Sequence, residues 1–154
     1  AAGTVEKDAG TTTLTPVGIF VGCSYTDPNS NQPTYSQMWT ASTTATDILA
    51  YVVDDPNVVF QAQGDATLAQ TALGNNVAVV QTAGSTTIGT SKNAIDSSTI
   101  AVTKTLPIRI LGFVDGPNSS VGDTYTDVIC KWNSGGDATG DSCASHQWQD
   151  TTGI

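Results

Sequence analysis

Cys130, Cys143 and His146 supply three potential zinc ligands near the C-terminal end of the chain. A structural zinc site takes four such ligands in closely spaced pairs, and Cys143-x-x-His146 has no second pair to complete it. His146, the single histidine, has no nucleophile motif to serve: there is no Gly-x-Ser-x-Gly, and Cys23 has no identifiable histidine partner. Asp54 and Asp55 form a carboxylate pair, but neighbours on a strand point to opposite faces, so a strand-ending turn is the expectation. Asp27-Pro-Asn-Ser-Asn31 spaces oxygen side chains as a calcium loop begins. The sixth and twelfth positions of that loop require Gly and Glu, whereas Gln32 and Met38 stand there. Gly135-Gly-Asp-Ala-Thr-Gly-Asp141 echoes a calcium-binding repeat but occurs once, where such sites need stacked copies. Trp39, Trp132 and Trp148 offer stacking surfaces for a sugar; at these spacings the expectation is core for Trp39 and Trp132 and an interface anchor for Trp148. These weighings predict no catalytic residue, no metal and no cofactor.

The composition points the same way. Only 12% of residues are charged, and five basic residues face fourteen acidic ones, for a formal net charge of −9. Lys7, Lys92, Lys104, Arg109 and Lys131 are dispersed. Nucleic acid is therefore not an expected partner, because binding it depends on clustered Lys and Arg neutralising phosphates. No run of about 18 apolar residues is present to predict a helical membrane span, and the N-terminus lacks the basic start and apolar centre of a secretory signal. Of the three cysteines, Cys23 reads as a small buried hydrophobe, while Cys130 and Cys143 are left as a pair able to bridge. One such bridge does not make a disulfide scaffold.

The elements that must position these residues are short β-branched runs separated by turn formers. Strands are expected at Val17–Tyr25, Thr34–Trp39, Ile48–Val53, Val58–Gln63, Val77–Gln81, Leu106–Asp115 and Asp127–Trp132, the first two forming a hairpin. Between 66 and 73, Leu68, Ala69, Ala72 and Leu73 fall at helical spacing, so one short helix is predicted, capped by Asp65 and ended by Gly74. Residues 83–98 read as a long polar loop with room for one short irregular strand. The expected fold is all-β, a mainly antiparallel sandwich or small barrel with that one helix. Residues 16–132 would form the core domain, flanked by extended arms over 1–15 and 133–154.

In order along the chain, Gly18-Ile-Phe-Val-Gly-Cys-Ser-Tyr25, Tyr35-Ser-Gln-Met-Trp39, Ala50-Tyr-Val-Val-Asp-Asp-Pro56, Gln70-Thr-Ala-Leu-Gly-Asn-Asn76 and Arg109-Ile-Leu-Gly-Phe-Val-Asp115 resemble the capsid decoration, or cement, proteins of tailed bacteriophages. The resemblance spans Val17 to Trp132; each motif alone is nonspecific, and their order carries the likeness. It implies a β-rich virion protein on the outer surface of an icosahedral head, clamping neighbouring major capsid protein subunits. The partners would be the major capsid protein and neighbouring copies, with a trimer one form that local lattice symmetry suggests. The arms are the expected contact segments, with Val5, Leu14, Trp148 and Ile154 as candidate anchors.

Two other classes compete. A carbohydrate-binding or adhesive β module would expose Trp or Tyr beside a groove carrying Asp and Asn. A hydrolase would bring two of Asp27, Asp54 and Asp55 to face one cleft.

Overall fold

A computed structural model describes residues 4–7, 12, 14, 16–55 and 57–133. Nine strands follow one another as β1 (Ile19–Thr26), β2 (Pro33–Ser36), β3 (Leu49–Val53), β4 (Val59–Gln63), β5 (Asn76–Val77), β6 (Val79–Val80), β7 (Ala94–Ile95), β8 (Ile108–Phe113) and β9 (Asp127–Trp132). They form an all-β fold of three antiparallel sheets, ordered β2-β1-β3, β4-β9-β8-β5 and β6-β7. None of these sheets closes into a barrel among the described residues.

The four-stranded sheet centres on β9, whose alternation decides its faces. Val128, Cys130 and Trp132 point one way; Asp127, Ile129 and Lys131 point the other. The first set meets Phe60 and Ala62 of β4 and Ile108 and Ile110 of β8. Leu68, Ala72, Val77, Val79 and Ile95 cover that side, giving one continuous core. Each fully buried Val, Leu or Ile contributes about 1.5–3 kcal/mol of transfer free energy, so most of the hydrophobic stabilisation lies here. Phe60 and Trp132 pack at a ring-centroid distance of 5.2 Å on its margin.

Leu14 is also part of this core, with 8% of its surface exposed. That corrects its expected role as an anchor for a neighbour: a leucine so placed is already buried by its own chain. Val5, by contrast, is exposed. Trp148 and Ile154 lie outside the described residues, as do Cys143 and His146.

The predicted helix over 66–73 is a single 3₁₀ turn, Gln70–Ala72, and a second such turn occurs at Ser97–Thr99. The reason is tertiary. The Asp65 carboxylate accepts from the Ser97 N–H at 2.9 Å and does not cap the segment. Leu68 N–H, the amide that an Asp65 cap would bond, donates instead to the buried Thr126 hydroxyl at 3.2 Å. Gly74 follows in the left-handed region, φ +79°, as the end of a helical turn requires. The expected strand at 77–81 is likewise two short strands on different sheets, parted at Ala78, whose N–H donates to the Thr99 hydroxyl.

The three-stranded sheet is built differently. β1 and β2 form the expected hairpin, and β3 pairs on the other side of β1 with a bulge between Phe20 and Gly22. Gly18 sits so close to the end of β3 that a Cβ there would lie 2.1 Å from the Val53 carbonyl oxygen. Within residues 16–55 the only buried apolar side chain is Cys23. The sheet is a single layer.

Candidate functional site

Directly paired residues of an antiparallel sheet share a face, so the registers sort the three-stranded sheet into two sides. One carries Cys23 and Tyr25 of β1, Thr34 and Ser36 of β2, and Ala50 and Val52 of β3. The chain covers the Cys23 part of this side itself, while Ala50 and Phe20, which pairs with Val52, stay exposed. The Cys23 thiol and the Ser36 hydroxyl both donate to the Met38 carbonyl, at 3.6 and 2.6 Å. Trp39 stands edge-on to Tyr25 at 5.7 Å. Gly89, φ +68°, reaches in from the loop between β6 and β7, and a Cβ there would lie 2.9 Å from the Met38 sulfur.

The other side carries Ser24 at its centre, with Tyr35 of β2 and Leu49 of β3 directly across from it. Tyr35 is 77% and Leu49 61% exposed, and Tyr51 beside them is exposed as well. The Tyr51 hydroxyl pairs with the Ser24 hydroxyl at 2.8 Å, which fixes the ring across the strand. Exposed apolar side chains are ordinary when scattered; three gathered on one sheet face mark a surface suited to interaction.

Carboxylates stand at both ends of β3. Asp47 accepts from the Thr26 hydroxyl at 2.7 Å and the Thr26 N–H at 3.0 Å, which holds its pKa below the usual 3.8. At the other end, Asp54 and Asp55 are exposed. With Asp27, residues 16–55 hold four carboxylates and no Lys, Arg or His.

The aspartates weighed for chemistry are occupied locally. Asp27 accepts from the Asn29 N–H at 2.9 Å and the Ser30 hydroxyl at 3.1 Å, which lowers its pKa. Asn31 follows at φ +55°. The segment is an Asx turn and not a cation loop. Asp55 accepts from the Asn57 N–H at 2.8 Å in a separate turn. Two carboxylates facing one cleft, which hydrolytic chemistry needs, are not assembled from these residues. Among the described residues, no three His, Cys, Asp or Glu side chains come together as a metal site.

Trp39 corrects an expectation. It is 42% exposed, because the single-layer sheet offers no second layer to bury it. Trp132 is half-buried against the core as expected. Beside Tyr25 runs an open groove of about 510 Å³, lined by Tyr25, Asp27, Pro28, Asn29 and residues 40–44. Cys130 is buried among apolar neighbours and its pKa is pushed up to about 12 by desolvation. Its thiol donates to the Phe60 carbonyl at 3.5 Å.

The exposed face escaped sequence reading because Tyr35, Leu49 and Tyr51 sit in strands that look like core strands. The missing signal is the register, which alone puts them together. No family model, curated protein or solved structure matches the chain.

Proposed function

We propose that this chain is a virion structural protein that decorates the outer surface of an icosahedral phage capsid and cements neighbouring major capsid protein subunits. One observation carries the reading: a single-layer three-stranded sheet, partly covered on one side by its own chain, presents Tyr35, Leu49 and Tyr51 together on the other. Such a sheet completes its burial by joining another protein of the decorated shell, a capsid subunit or a neighbouring copy. The acidic, low-charge composition suits that role by limiting non-specific association. A sheet edge and apolar anchors supply affinity without a catalytic centre, and many weak contacts on a lattice add by avidity.

The test is co-sedimentation of the purified chain with empty, expanded tailed-phage capsids. Saturable binding at a simple ratio to the capsid subunit, with a raised shell melting temperature, is the expected outcome. Absence of binding overturns it.

A second reading rests on a separate observation. Trp39 is exposed beside Tyr25, and the neighbouring groove carries Asp27 and Asn29. Aromatic rings next to amide and carboxylate groups are what a carbohydrate-binding or adhesive module presents. Glycan-array binding lost on Trp39→Ala would favour it over the capsid role.

A further inference from the structure

The four-stranded sheet carries a directly paired couple of cations, and the three-stranded sheet carries none. Arg109 of β8 and Lys131 of β9 are directly paired, so two of the five basic residues of the chain stand side by side on the outer face of the four-stranded sheet. Like charges directly opposite one another on a sheet are destabilising. Neither is ion-paired to a described carboxylate. Around them the same face exposes Val59, which pairs with Lys131, and Ile129, with Leu111 at the β8 bulge. Asp127 lies on this face too, at the far end of β9, and takes the Gln61 and Gln63 amides at 3.0 and 3.2 Å.

This surface is the chemical complement of the bare side of the three-stranded sheet. One is apolar with a cationic pair; the other is apolar and aromatic, with Asp47, Asp54 and Asp55 at the ends of β3 and no basic residue. Two copies meeting through the three-stranded sheet alone would bring carboxylates together. Two copies meeting head to tail would bury apolar area on both sides and set Arg109 and Lys131 against those carboxylates.

We propose that the bare face of the three-stranded sheet takes the outer face of the four-stranded sheet of a second copy of this chain. The contact is heterologous, so repetition generates a closed ring, such as a trimer, or an open chain. The inference rests on that face being a protein-docking surface and not on the capsid. Self-association in solution therefore tests it separately from shell binding.

The experiment is analytical ultracentrifugation of the full chain at low and high salt, with circular dichroism to verify folding. The wild type is expected to associate at low salt and to weaken as salt rises. Arg109→Glu/Lys131→Glu and Asp54→Lys/Asp55→Lys are each expected to sediment as monomers. An equimolar mixture of the two is expected to recover association, because each then offers the charge the other lacks. Tyr35→Ser/Leu49→Ser, which leaves every charge in place, is expected to be monomeric. A wild type that stays monomeric at low salt overturns the proposal. So does association that persists in the folded Arg109/Lys131 variant, since a contact that ignores those cations is a different one.

Discussion

Asn133 locks the entrance of β8 to the exit of β9 through Leu106. Its amide donates to the Leu106 carbonyl at 3.0 Å and to the Lys104 carbonyl at 3.1 Å, while its own N–H donates to Pro107 at 2.8 Å. The residue is buried and so is its bond to the Leu106 carbonyl, which therefore depends on it rather than on water. Asn133→Ala is expected to lower the unfolding free energy by about 1–3 kcal/mol. Urea titration should register the loss as a lower midpoint at unchanged slope.

Thr126 joins three segments. It is fully buried; its hydroxyl accepts from Leu68 N–H and donates to the Asp123 carbonyl at 2.9 Å, while its carbonyl accepts from Gly64 N–H at 2.8 Å. Thr126→Val keeps the volume and deletes the hydroxyl, leaving the Leu68 amide and one acceptor unpaired. A cost of about 1–3 kcal/mol is expected. Thr126→Ser, which retains the hydroxyl, should lose less in the same thermal melt.

Asp47 supplies a pH test. The Thr26 hydroxyl, and then the Thr26 amide, hold its carboxylate pKa below 3.8 in the folded chain. Folding therefore weakens its proton binding. It contributes stability above the unfolded value, and that contribution is lost as pH falls through the lower folded value. An NMR titration should find the Asp47 midpoint below 3.8 and raised by Thr26→Val. A midpoint that Thr26→Val leaves in place would refute this cause.

Cys130 should be chemically silent. The thiolate is the reactive form, and burial that raises the pKa to about 12 suppresses it at neutral pH. An aromatic disulfide reagent is expected to label Cys130 only after denaturant opens the core. Labelling of the native chain at Cys130, located by peptide mass mapping, would contradict the burial.

Sequence patterning carried the strands well where local turns and alternation agree. β9 runs from Asp127 to Trp132 as the alternation requires, and the Asp27–Gln32 turn closes the β1–β2 hairpin through Asp27 N–H to Gln32 O and Asn31 N–H to Asp27 O. Sheet membership was not legible. The turn after β3 looks like the loop of a hairpin, yet β4 leaves β3 and pairs with β9. The 66–73 segment has helical spacing, but its amides and Asp65 answer to Thr126 and Ser97, distant in sequence. Trp39 has the company of a core residue, and only the missing second layer explains its exposure. The bare face was hidden for the same reason: Tyr35 and Leu49 come together through Ser24, a relation that spacing along the chain does not contain.

The strand pairings also order events in time. The pairing partners of β1, β2 and β3 are all present once residue 53 has been made, so those strands can pair while synthesis continues, before Gly89 packs on Met38. β4 waits for β9, the last strand described, which pairs with β8 on its other side. The pairing of Phe60 with Cys130 is therefore a late closure of a long loop, costly in entropy until the core rewards it. If those strands pair first, their aromatic face is on display before the core closes, and crowding of unfinished chains on one message is where misassembly would begin.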